Sequence, residues 1–100
     1  MYLIKTSFHI DSTHASGFVD QLRAGLAGPM EKSGIFSDTL LLELLIDIDP
    51  ALKAFSLQAK AESLDDSMKW IQNDAASFFE MLMRQYGSHV AFFTTPMKIL

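Results

Sequence analysis

Apolar and polar residues alternate over the first ten positions. Tyr2, Ile4, Phe8 and Ile10 fall on one side of an extended chain, and Leu3, Lys5, Ser7 and His9 on the other, as in a strand with one buried face. At Asp11, Ser12 and Thr13 the side chains become helix-capping ones, and Ala15, Phe18, Val19, Leu22, Leu26 and Met30 then draw one stripe along a helix. Gly25, Gly28 and Pro29 weaken its second half, and because proline lacks an N–H and crowds the preceding turn, a kink or break is predicted near Gly28. Gly34 ends the helix, and FSDTLLLELLIDI predicts a second strand running to Pro50.

Strict alternation in that second strand places Leu40, Leu42, Leu44 and Ile46 on the helix side. Leu41 and Leu45 fall on the opposite side, among Thr39, Glu43 and Asp47. IDPAL reads as a turn, with Asp47 and Asp49 as turn residues and gatekeepers. From Leu52 to Glu62 a third strand opposes Phe55, Leu57, Ala59 and Ala61 to Ala54, Ser56, Gln58 and Lys60, and forms a hairpin with the second. Ser63-Leu64-Asp65-Asp66 resembles a capping box with Asp in place of Glu, and opens a helix with the stripe Leu64, Met68, Ile71, Ala75, Phe78, Leu82, stopped by Gly87. The last segment, SHVAFFTTPMKIL, predicts a fourth strand whose outer residues are either Ala91 and Phe93 or Val90 and Phe92.

The order strand, helix, strand, strand, helix, strand implies an α+β, ferredoxin-like βαββαβ sandwich: one mostly antiparallel four-stranded sheet with two helices on one face. One hundred residues suffice for a single domain over 1–100 and not for two. A sheet covered on one side needs a polar second side, yet Leu3, Leu41 and Leu45 are expected there. The second strand is also an edge, and a long apolar edge invites pairing with another chain. A homodimer is therefore expected. Packed sheet on sheet, it would line a central space with Lys5, Ser7, His9, Glu43, Ser56, Gln58 and Lys60 of each subunit, although edge-to-edge pairing is equally open to this pattern.

Composition removes other classes of function. The net charge of −4 is spread without a basic cluster, so no nucleic-acid partner is expected. No cysteine is present, which excludes disulfides, thiolate metal sites and a cysteine nucleophile, and fits a reducing compartment. MYLIKTSFHI has Lys5 where a secretory signal would have its apolar core, and LLLELLI is interrupted by Glu43. No membrane association and a cytoplasmic location follow as expectations.

His9 is the strongest chemical candidate, since an imidazole beside Lys5, Glu43 or Lys60 is the side chain suited to moving protons. Against that stands a histidine hydrogen-bonded within a sheet face, because no nucleophile or orienting partner is found at fixed spacing. His14 and His89 read as capping or surface residues, and three scattered histidines without an HxH or HxxxH pair predict no metal. Asp47 and Asp49 lack the remaining carboxylates and the glycine of a calcium loop. GLAGP lacks the Gly-Lys-Ser/Thr ending of a phosphate loop, and no GxSxG is present. Trp70 and Met81 flank the second helical stripe, and Trp70 is either boundary packing or an anchor for a partner protein docking on that helix.

YLIKTSFHID, GPMEKSGIFSD, AFSLQAKAESLDDSMKW and YGSHVAFFTTPMKIL together resemble an uncharacterised family of small bacterial proteins, known only as a domain of unknown function and ferredoxin-like in plan, of the dimeric α+β barrel type. The likeness covers nearly the whole chain and implies the fold. It carries no catalytic pattern that could be transferred, and the plain SLQAKA departs from an aromatic-rich third strand. The reading that follows is a non-catalytic homodimeric binding or assembly module without cofactors, holding a small ligand at the sheet face or subunit contact. Its ligand-binding or interface candidates are Lys5, Ser7, His9, Leu41, Glu43, Leu45, Gln58 and Lys60. The alternative is a cofactor-free enzyme of the dimeric α+β barrel monooxygenase or isomerase kind using His9.

Overall fold

In the computed structural model, which describes residues 1–46 and 49–100, four strands form one antiparallel sheet in the order β2-β3-β1-β4. The strands are β1 (Tyr2–Asp11), β2 (Phe36–Glu43), β3 (Leu52–Ala61) and β4 (Val90–Lys98). Two helical segments cover one side of it. The first is α1 (Phe18–Leu22) and α2 (Gly28–Lys32), joined by a π-turn over Arg23–Ala27; the second is α3 (Leu64–Lys69) and α4 (Ala76–Tyr86), joined by a π-turn over Trp70–Asp74. This is the ferredoxin-like plan expected from the element order.

The core lies between helices and sheet. Phe18, Leu22, Leu26 and Met30 from the first segment and Phe78, Leu82 and Tyr86 from α4 close over Ile4, Phe8, Ile10, Phe55, Leu57 and Ala59. Phe18 sits at its centre, with ring contacts to Phe8, Phe55 and Tyr86 at centroid separations of 5.6 to 5.9 Å. Two of these are edge-to-face, the arrangement favoured by the ring quadrupole. Thr6 is buried among these side chains and bonds Thr94 at 2.8 Å, so the polar groups in the core satisfy each other.

The two π-turns explain where periodicity misleads. The Gly28 N–H reaches back five residues to the Arg23 carbonyl, and the next residue, Pro29, has no N–H to donate. The wide turn thus absorbs the proline, and the chain stays helical to Lys32 instead of breaking at Gly28. Gly25 lies in this turn because α4 comes close: a Cβ there would meet Phe78 Cε1 at 2.3 Å. In the second segment the Ala75 N–H bonds the Trp70 carbonyl at 3.0 Å. The extra residue in that turn lets Trp70 and Ile71 both point inward, and Trp70, 6% exposed, packs edge-to-face on Phe36 at 5.4 Å. Trp70 is therefore a core residue, packed within the chain and not presented as an anchor to a docking partner. Ser63 caps α3 by accepting from the Asp66 N–H at 3.1 Å. Lys69 hydrogen-bonds Asp65 one turn back at 3.0 Å, which raises its pKa above the ordinary lysine value.

A β-bulge decides the orientation of β2. Ser37 pairs with Lys60 and Leu40 with Gln58, so β2 advances three residues while β3 advances two. Asp38 occupies the extra position with φ 51°, a left-handed conformation that aspartate tolerates better than most residues. One extra residue inverts the side-chain parity beyond it. β2 also ends at Glu43, short of the expected Pro50, and Asp47 lies outside the described residues. Asp49 does act as a turn residue, its carboxylate accepting from the Ala51 N–H at 2.9 Å.

Candidate functional site

Residues paired across neighbouring strands project to the same side of a sheet, so the register defines the side that the helices leave open. One row reads Leu42, Ser56, Ser7, Phe93; the next reads Leu40, Gln58, Lys5, Thr95; a third reads Ser37, Lys60, Leu3, Met97. Toward the other end, Ala54, His9 and Ala91 share a row. The edge strands thus contribute Leu40, Leu42, Phe93 and Met97 beside Ser37 and Thr95, and the central strands contribute mainly polar side chains, with Leu3 and Ala54 among them. Leu40 is 51% exposed, Leu42 43% and Phe93 56%, while Lys5, Ser7, His9, Ser56, Gln58 and Lys60 are half-buried between them.

The open side therefore carries Lys5, Ser7, His9, Gln58 and Lys60, where the alternation of β1 and β3 puts them. For β4 it selects Ala91 and Phe93 of the two parities left open. Leu41 and Glu43 are corrected. They stand opposite Leu57 and Phe55, on the helix-covered side, and Leu41 packs against the core. Leu40 and Leu42 take the open positions instead, because the bulge at Asp38 adds the residue that reverses the count. Leu45 lies beyond the end of β2 and is 83% exposed. The signal that could have revealed the inversion is Ser37-Asp38-Thr39, a polar run at the start of an otherwise apolar strand.

Charge on the open side is sparse. Lys60 pairs with Asp38 of the bulge at 3.3 Å, a solvent-accessible contact that contributes little in water. The Ser56 hydroxyl is covered by its neighbours and has no partner within the chain among the described residues. Two clefts adjoin β2. One of about 320 Å3 is lined by Ile35, Phe36, Glu62 and Asp66, and one of about 230 Å3 lies between Val19, Arg23, Leu41 and Glu43. His9 lines neither.

A second cluster forms where β1 ends and β4 begins. Asp11 closes β1, His14 lies in the 3-10 turn Ser12–His14, and His89 lies in the 3-10 turn Gly87–His89. The fold brings these together across 78 positions of sequence: His89 Nδ1 and Asp11 Oδ2 are 2.5 Å apart. The imidazoles of His14 and His89 stack, with centroids 4.1 Å apart and 16° between planes. Thr13 Oγ1 meets His14 Nδ1 at 3.1 Å. Local spacing could not reveal this group, because its members lie on segments joined only by the β1–β4 pairing.

The chain belongs to the family described as a domain of unknown function (DUF4286), whose model matches residues 1–100. No curated protein matches the sequence. Among solved structures, a putative antibiotic biosynthesis monooxygenase from Deinococcus radiodurans is similar at TM-score 0.75 and 14% identity, over 100% of this chain and 93% of that one. A dimeric ferredoxin-like protein from an uncultured marine organism gives TM-score 0.70 at 6% identity, over 100% and 95%. A cofactor-independent oxygenase from Streptomyces nogalater gives 0.69 at 10%, over 98% and 92%. At such identities the likeness establishes the shared fold. No helix among the described residues is long and apolar enough to cross a membrane.

Proposed function

We propose that this chain is a non-catalytic homodimeric binding module, in which two copies pack open sheet side on open sheet side and hold a small amphipathic ligand between them. The observation that carries this reading is the distribution of side chains on the open side. Leu40 and Leu42 on one edge strand and Phe93 and Met97 on the other form two apolar borders. Between them runs the polar strip Lys5, Ser7, His9, Ser56, Gln58 and Lys60. Borders of this kind are buried by a two-fold partner, and the strip is then enclosed. One protein of the same fold is itself described as dimeric.

The enzymatic reading puts His9 to chemical use within that same enclosed space. The binding reading needs only the arrangement of the open side and is preferred. Light scattering across a dilution series tests it. A dimer that persists into the low micromolar range is expected, and a soluble monomer at all concentrations would overturn the proposal.

A further inference from the structure

We infer that Asp11, His14 and His89 form a binding site for a divalent transition-metal ion, with Zn2+ as its representative occupant. Each of the three offers one ligand atom, and these atoms lie within 4.8 Å of one another. In a tetrahedral Zn2+ site with bonds of about 2.0 to 2.2 Å, neighbouring donors are about 3.3 Å apart. The widest pair has to close by about 1.5 Å at most, and Asp11 Oδ2 and His89 Nδ1, hydrogen-bonded at 2.5 Å, have to part to admit the ion; rotamer adjustment of exposed or half-buried side chains at the end of β1 and in the two 3-10 turns supplies both.

The chemistry of the donor set points the same way. Two imidazoles and one carboxylate are borderline-to-hard ligands suited to zinc, nickel or copper, and calcium and magnesium prefer all-oxygen sites. The stacking of the two imidazoles at 4.1 Å holds both rings on one side of Asp11, where their nitrogens can converge on a single ion. In the tautomer whose Nδ1–H donates to Thr13 Oγ1 at 3.1 Å, His14 presents an unprotonated Nε2, as metal-bound histidines that donate their other ring N–H do. Three protein ligands on an exposed surface leave the remaining positions to water. The site lies at the end of β1, two residues beyond His9 of the polar strip, and requires no second copy of the chain.

Calorimetric titration of Zn2+ into the metal-stripped full chain is expected to show one site per chain. His14→Ala and His89→Ala should each weaken it by on the order of tenfold to a hundredfold, at least what loss of an orienting partner costs. Absence of binding up to millimolar Zn2+, or unchanged affinity in both variants, would overturn the assignment. Should either variant fold poorly, the histidine ring resonances of the unaltered protein decide. The chain has three histidines, and Zn2+ should shift those of His14 and His89 and leave His9 in place; a shift confined to His9 would refute the site.

Discussion

Replacing Leu40 and Leu42 together by serine tests the inverted parity of β2 and the proposed dimer at once. Both leucines lie on the open side, 51% and 43% exposed in the single chain, so about half of each side chain remains to be covered by a partner. Covering a whole leucine contributes about 1.5–3 kcal/mol, and the remaining half about 1 kcal/mol. A two-fold interface presents each residue twice, so the double variant gives up about 4 kcal/mol of association, a rise in Kd of roughly a thousandfold. The fold itself should change little, because both residues are on an exposed edge strand, where substitutions usually stay within about 0.5 kcal/mol. Sedimentation equilibrium across a dilution series reads Kd, and thermal unfolding under the same conditions reads the fold. Leu41→Ser is the control. Leu41 packs against the core, so its replacement should lower Tm and leave the interface surface as it was. An unchanged Kd in the double variant would refute the reasoning, and so would a well-folded monomer produced by Leu41→Ser alone.

Two further substitutions probe the packing beneath the open side. Trp70→Ala empties the space against Phe36 and should destabilise the domain by about 3–5 kcal/mol in urea unfolding; a variant that keeps its stability but loses a protein partner would restore the docking-anchor reading. Gly25→Ala places a Cβ 2.3 Å from the Phe78 ring, a clash costing about 1–3 kcal/mol that outweighs the roughly 1 kcal/mol alanine gains in a helix. Phe78→Leu in the same chain should recover part of that loss, and failure of the pair to couple in a double-mutant cycle would contradict the close approach.

Local chemistry, read from the sequence, determined the fold class and most of the polar strip. Period-two alternation in β1 and β3 needs only backbone pleat and burial to assign sides, so Lys5, Ser7, His9, Gln58 and Lys60 could be placed on the open face from their spacing alone. The same reasoning identified the Ser63 cap and the core stripe from Ile71 to Leu82, because an α-helix repeats at a fixed pitch. Tertiary structure decided the features that depend on departures from a repeat. A bulge at Asp38 moved Leu41 and Glu43 to the covered side and exposed Leu40 and Leu42; a single added residue inverts every later position, and only pairing with β3 reveals it. A π-turn drew Trp70 into the core, since a locally wider helix changes which residues share a face. The cluster of Asp11, His14 and His89 exists only because β4 pairs with β1. Sequence separation conceals such a contact, and an antiparallel register creates it.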